Sequence, residues 1–334
     1  MKENTGMVTF ADGFNAGTLW LAPMAGVGDR AARLTAKRFG ADYVVTEMVS
    51  AKAVRYRDEK TFALASLTEG ETPAAVQLFG HDPDDFAAAA DILLNEFLRR
   101  GLPLPSAFDV NMGCPVKKVV SCGEGSALML DVPRAAKIVK ALVAATPLPV
   151  TAKIRTGYDA KRKNAVELAK ALEDAGVSAV CVHGRTRAQF YSPGVDTEAI
   201  AAVKSAVSVP VVGNGDILTK KDADDMFRST GCDGIAIGRG AIGSPWIFSE
   251  IKHGTEPPDV KDRMKTFLDQ VGLAVEEKGE RRALCECRTV FMYYTKGLRG
   301  ASAMRSGING VTTLAGLSSF LSEAVGEDGG TFQP

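Results

Sequence analysis

The sequence predicts an α/β fold: a (β/α)8 TIM barrel carrying a small C-terminal all-helical domain. Three observations predict it. Eight short β-rich runs recur between residues 18 and 240, each ending in Gly, Asn or another polar residue and each followed by a helix-like stretch. Such alternation implies parallel strands joined by helical crossovers, and eight units suit a barrel of about 250 residues. A doubly wound sheet is the rival, with fewer strands expected. After Pro245 the rhythm changes, and from about 261 to 325 the text reads as helix with no convincing strand.

In order, the strand runs are TLWLAPM (18–24), DYVVTEM (42–48), AAVQLFG (74–80), FDVNMG (108–113), VTAKIR (150–155), AVCVHG (179–184), VPVVGNG (209–215) and GIAIGRG (234–240). Between them, segments such as DDFAAAADILLNEFLRR, VPRAAKIVKALVAA and NAVELAKALEDAG place apolar residues three and four apart, the period of a helix face. HGTEPPDV (253–260) reads as a linker by its prolines and glycine. The expected division is therefore a barrel over 1–252 and a helical appendage over 253–334, ending in a frayed tail, GEDGGTFQP.

Composition narrows the function classes. The chain has 334 residues, 46% hydrophobic and 24% charged, enough apolar content for a large core. Its formal net charge is zero, so a polyanion must be met by a local basic patch. No apolar run reaches the length of a membrane span, and MKENTGMVTF lacks a signal peptide's apolar segment. The cysteines at 114, 122, 181, 232, 285 and 287 show neither metal-site spacing nor scaffold density; free thiols in a reducing cytoplasm and no metal are expected.

Barrel enzymes gather their chemistry at the C-terminal ends of the strands. Here those ends carry Pro23, Met24 and Ala25; Glu47; Gln77; Asn111 and Cys114; Lys153 and Arg155; His183 and Arg185; Asn214 and Asp216; and Gly238 with Arg239. A buried lysine costs several kcal/mol unless paired or solvated, so Lys153 in VTAKIR needs a reason. For any one residue, capping a strand is an equal reading; for the whole ring, a shared site is favoured. GNGDI (213–217) and GRGAIG (238–243) follow the last two strands, where barrels commonly hold a phosphate. GRGAIG also matches the dinucleotide fingerprint, but no further strand follows, so a Rossmann reading fails on context. A phosphate-bearing cofactor survives. Flavin mononucleotide (FMN) suits the parts, with Lys153 offering a cation to the reduced ring. A lyase or isomerase using Lys153 as a Schiff-base nucleophile is the alternative, and it leaves Gln77 and Cys114 without roles.

LAPMAG, AVQLFG, DVNMGCPVKKVV…GEGSALM, KIRTGY, HGRTR, VVGNGDI and IGRGAIGSPWIF, in this order over about residues 18–310, resemble the tRNA-dihydrouridine synthases, closest to the bacterial B-type branch. The resemblance implies an FMN enzyme that uses NADPH to reduce particular tRNA uridines to 5,6-dihydrouridine. It also implies Cys114 as proton donor, and Pro23, Met24, Ala25, Gln77, Lys153, His183, Asn214, Gly215, Asp216, Gly238 and Arg239 as the flavin's holders. Hydride would reach uracil carbon-6 from the reduced flavin and a proton carbon-5 from Cys114. A thiol, with a reference pKa of about 8.5, is mostly protonated at neutral pH and suits that task.

Substrate contacts are expected from Asn111, Arg185, Lys117 and Lys118 near the barrel mouth. In the appendage, residues 281–305 carry six basic residues against Glu286, with Tyr293 and Tyr294 among them. Arg288, Lys296 and Arg299 are the residues expected to meet tRNA there, although an amphipathic helix with a solvated basic face has the same pattern. Two other functions remain open. An FMN-dependent reductase of a small-molecule pyrimidine or enone leaves the basic appendage unexplained, and a non-catalytic RNA-binding protein leaves Cys114 unexplained.

Overall fold

Strands β1 (Thr18–Leu21), β2 (Tyr43–Val45), β3 (Val49–Ser50), β4 (Ala74–Phe79), β5 (Ala107–Asn111), β6 (Val150–Arg155), β7 (Ala179–His183), β8 (Val211–Asn214) and β9 (Gly234–Ile237) are all parallel in a computed structural model that describes residues 17–325. MKENTGMVTF and GEDGGTFQP lie outside those residues. Neighbours pair in order from β4 to β9; β9 then pairs with β1, β1 with β2, and β2 with β4, which closes an eight-stranded barrel. The two-residue β3 pairs further along β4 and extends the path of β2 after a break. All eight runs read from the sequence become barrel strands, so the chain is a (β/α)8 barrel.

Side chains alternate between the two faces of a strand, and this alternation builds the site. Facing inward are Ala75 and Gln77 of β4, then Ala107, Asp109 and Asn111 of β5, Thr151, Lys153 and Arg155 of β6, and Ala179, Cys181 and His183 of β7. Register sets Gln77 opposite Asp109, Asp109 opposite Thr151, Asn111 opposite Lys153, Arg155 opposite His183 and His183 opposite Asn214. Low in the barrel the inward residues are small and apolar, and Trp20 and Tyr43 fill the remaining space with ring centroids 4.6 Å apart. Higher up they are polar. Outward residues such as Val76, Val110, Ile154 and Val182 pack under the surrounding helices in the main core.

After the helix Ile247–His253, residues 254–259 form a connection to the helices Val260–Lys278, Glu280–Tyr294, Ala301–Gly307 and Leu314–Val325. These have a core of their own, centred on Phe267, Phe291, Tyr294 and Leu317, into which Trp246 projects from the barrel. The aromatic rings of Phe267, Phe291 and Tyr294 lie 4.8–5.2 Å apart in successive pairs. Lys278 ties this domain to the barrel by bridging Asp29 and Glu286. Among the described residues, no helix is long and apolar enough to cross a membrane, and no cluster of side chains could hold a metal ion.

Candidate active site

A cavity of about 480 Å³ opens at the C-terminal end of the barrel. Pro23, Met24 and Ala25 line it after β1, Gln77 on β4, Asn111 and Cys114 after β5, Lys153 and Arg155 on β6, and His183 on β7. Asn214, Gly215 and Asp216 follow β8, and Gly238, Arg239 and Gly240 follow β9. Every residue singled out for a cofactor thus meets at one cavity, together with the thiol.

Cys114 sits on a turn held from four directions. Asn111 Oδ1 accepts from the backbone N–H of Cys114 at 2.9 Å and of Gly113 at 3.2 Å. Arg155 Nε donates to the Gly113 carbonyl at 2.7 Å, and Ser126 Oγ donates to the Cys114 carbonyl at 2.8 Å. Gly125, at φ +59°, packs so closely that a side-chain carbon there would lie 3.0 Å from Cys114 Cβ. Burial pushes the thiol's pKa up; the Val116 N–H and the Arg155 cation pull more weakly the other way. The sulfur therefore stays protonated at neutral pH.

The neighbouring strand β6 makes the adjoining wall cationic. Lys153 is half-buried and donates to Asn214 Oδ1 at 2.7 Å, and Asn214 Nδ2 in turn donates to the Ala236 carbonyl at 2.6 Å. Burial lowers the Lys153 pKa, as expected of an ammonium that has lost water and has one neutral partner. Burial, then Lys153, Arg155, Arg185 and Arg239, hold His183 far below its ordinary value, so its imidazole is neutral.

In the two glycine-rich turns, Gly240 and Gly215 leave no space for a side chain. At Gly240 a Cβ would stand 2.0 Å from the Ile217 carbonyl oxygen, and at Gly215, φ +125°, 2.9 Å from Val195 and 3.1 Å from the His183 ring. Asp216 pairs with Arg239, whose guanidinium also lies 4.5 Å from the centre of the Tyr191 ring. The residues present fit a flavin phosphate. Bare backbone faces the cavity at Gly238, where a methyl would meet only Met24 and Ala22 at 3.6 and 3.8 Å, with the Arg239 cation beside it.

Several expected substrate contacts sit elsewhere. Arg185 is 2% exposed and does not line the cavity. Its guanidinium donates to the Pro193 carbonyl, pairs with Asp216 and lies 3.4 Å from His183 Nε2. It thus braces the loops after β7 and β8. Asn111 lines the cavity, but its amide is spent on the Cys114 turn, on Gln77 and on Met48. Lys117 and Lys118 are exposed on the turn Lys117–Val120 beside the mouth. Lys296 and Arg299 are exposed on the appendage, and Arg288 donates to the Asn309 carbonyl. Of the two tyrosines, Tyr294 is buried in the appendage core, with its hydroxyl donating to Gln270 Oε1; only Tyr293 reaches the cavity. Helix periodicity requires this split, since adjacent residues lie about 100° apart.

Sequence reasoning missed the stapling role of Arg155, the exposed wall residue Tyr191, and Asp109 beside Gln77. For Asp109 a signal existed: Asp and Asn two apart in FDVN must share the barrel's inner face. Of the other thiols, Cys181 faces the barrel interior and is pushed up to about 11 by burial, while Cys122 is exposed and does not line the cavity.

Comparison with known proteins points one way. The model of the dihydrouridine synthase (Dus) family matches residues 20–327. A protein of Pseudomonas aeruginosa named tRNA-dihydrouridine synthase B is 41% identical over 303 residues, covering 87% of each chain. One of Pseudomonas putida with the same name is 44% identical over 236 residues, 70% of this chain and 68% of that one. Among solved structures, morphinone reductase superposes with a TM-score of 0.51 at 12% identity, over 72% of this chain and 87% of its own. A structure of TcOYE with pHBA does so at 0.52 and 10%, over 72% and 90%. At these identities the structural likeness bears on the barrel alone.

Proposed function

The chain belongs to the dihydrouridine synthase family and is a flavin-dependent oxidoreductase, and from that premise we propose that it reduces specific uridines in tRNA to 5,6-dihydrouridine with FMN as cofactor and NADPH as reductant. One observation carries the reading: the half-buried Cys114 thiol and the two glycine-rich turns open on the same cavity.

When bound, the reduced flavin supplies the hydride that uracil carbon-6 receives. The chain's own residues do the rest. Gly215, Gly238 and Gly240 leave room for the phosphate, and Arg239 neutralises it. Lys153 would offer the reduced cofactor a positive charge and so favour its anionic form. His183, kept neutral, adds a hydrogen-bonding group without repelling those cations. Pro23, Met24, Ala25, Asn214 and Asp216 complete the wall; Gln77 joins it through the amide ladder below Asn111.

Cys114 gives its proton to uracil carbon-5 as charge builds on the carbon-4 carbonyl side of the ring. The turn around it fixes the sulfur in place, so little freedom is lost when the base arrives. A uridine inside folded RNA must leave its stack to enter a cavity of this depth. Tyr191 and Tyr293 stand on the wall as aromatic surfaces for an extruded base, and Lys117, Lys118, Lys296 and Arg299 offer exposed charge for the RNA backbone around it. A tRNA substrate also implies work in the cytoplasm, and the barrel over 1–252 with a tRNA-binding domain over 253–334 is the division of labour that follows.

The test is anaerobic. Purified protein should be yellow, and its NADPH-reduced flavin should be reoxidised by tRNA lacking dihydrouridine. Reoxidation by free uracil or uridine but not by tRNA would favour a small-molecule reductase. A flavin indifferent to both would leave a non-catalytic RNA-binding role.

A further inference from the structure

Asp109 is a buried carboxylate that the proposed chemistry does not use. It is 2% exposed and stands in the barrel interior below the cavity. Both of its oxygens accept hydrogen bonds: Oδ1 from Thr151 Oγ1 at 2.6 Å, Oδ2 from Gln77 Nε2 at 2.7 Å. Because Gln77 spends its N–H there, its Oε1 faces upward and accepts from Asn111 Nδ2 at 2.8 Å. Asn111 Oδ1 must then face the turn, where it accepts from Gly113 and Cys114. An amide has a donor end and an acceptor end, so fixing one end of a ladder of amides fixes all of them. The strand register supplies the rungs, with Gln77 level with Asp109 and Asn111 one inward position higher.

We propose that Asp109 is the positioning residue of the proton donor: its carboxylate sets the direction of the Gln77–Asn111 amide ladder and thereby holds the Cys114 turn. The proposal deepens the proton-donor reading of Cys114 and rests on it. Asp109 does not line the cavity. Burial raises its pKa, while Thr151, Gln77 and the Lys153 charge oppose that rise. As a carboxylate it only accepts, so Gln77 must turn its N–H toward it.

The ladder can be frustrated and then reversed. Asn111→Asp keeps an acceptor for the two turn N–H groups, but its second oxygen faces Gln77 Oε1. Turning Gln77 only moves the conflict down to Asp109, so at a pH where both carboxyls are ionised, the condition for the measurement, no arrangement satisfies this variant. Adding Asp109→Asn relieves all of it. Gln77 turns over, its N–H feeds the carboxylate at 111, its carbonyl accepts from the new amide at 109, and that amide's oxygen keeps the Thr151 hydroxyl.

The measurement is the rate of Cys114 alkylation by iodoacetamide in flavin-loaded protein, read on the Cys114 peptide by mass spectrometry. A freed turn exposes the thiol and returns its pKa toward the ordinary value, so both effects accelerate alkylation. Asn111→Asp is expected to react at least about fivefold faster than the parent, the factor carried by one hydrogen bond, and the double variant within about twofold of it. Asp109→Leu, which removes the acceptor without adding a donor, is expected to match Asn111→Asp; it decides the matter if Asn111→Asp does not hold flavin. A double variant as fast as the single, or Asp109→Leu within twofold of the parent, would overturn the proposal. Turnover of Cys114→Ala is measured separately. Full activity there would remove the proton-donor reading, while the alkylation rates would still report whether Asp109 holds the turn.

Discussion

Gly240→Ala isolates the phosphate cradle. The added carbon would lie 2.0 Å from the Ile217 carbonyl oxygen, 3.1 Å from its carbon and 3.3 Å from Leu218 Cα, all backbone atoms that no rotamer change can move aside. The loops after β8 and β9 must part by about 1.4 Å to restore ordinary contact. Overpacking of this kind costs about 1–3 kcal/mol. If the loops separate in the free protein, a ligand must draw them together again, and the strain returns as lost affinity. At about 1.4 kcal/mol per tenfold, flavin binding should weaken roughly 5- to 150-fold. The assay is a fluorescence titration of flavin-free protein with FMN, beside a urea titration to confirm that the variant folds. Gly238→Ala is the companion: its methyl meets only Met24 and Ala22 at ordinary distances, so the folded protein should be as stable as the parent. A folded Gly240→Ala protein whose dissociation constant lies within twofold of the parent would refute the placement of the phosphate on these turns.

Cys114→Ala should keep its colour and lose about 10²–10⁴ in turnover, the usual share of a general acid; single-turnover kinetics with tRNA measures it. Burial raises the Cys114 pKa, so in the parent the rate should fall as pH rises through a value above the ordinary thiol figure of about 8.5, and this falling limb should vanish in Cys114→Ser. Gly243, at φ +69°, lies under the appendage helix, where a Cβ would stand 2.5 Å from the backbone of Tyr293 and Tyr294. Gly243→Ala should therefore lower stability to urea by about 2 kcal/mol or more, and weaken tRNA binding while flavin binding persists. His183 gives a pH signature in flavin-free protein. Its folded pKa is depressed, so below about 6.5 the unfolded chain takes a proton that the native state refuses, and stability should drop by about 1.4 kcal/mol per pH unit. Urea midpoints between pH 7 and pH 5 test this, and His183→Asn should flatten the slope.

Much of the barrel was legible because its determinants are local. VTAKIR and AAVQLFG announce strands by their own residues, and all eight runs closed into one barrel. The site ring followed from a rule of the fold, that strand ends converge. What failed to show was direction. Arg185 lies two residues past His183 and reads as another member of the ring, yet it turns under the loops to Asp216 and Pro193. Tyr293 and Tyr294 read as a pair, yet one is core and the other wall. Asp109 reads as one polar residue in a strand, yet its partners are 32 and 42 positions away.

By itself the sequence determined the strand and helix alternation, the residue types at the strand ends and the thiol among them, because backbone periodicity and turn chemistry act over a few neighbouring residues. Tertiary structure alone decided which polar atoms meet, which cations face the cavity and how the Cys114 thiol is kept protonated. Those properties depend on burial and on partners brought together only by closing the sheet, and desolvation is a property of the whole surrounding volume that no short stretch of chain contains.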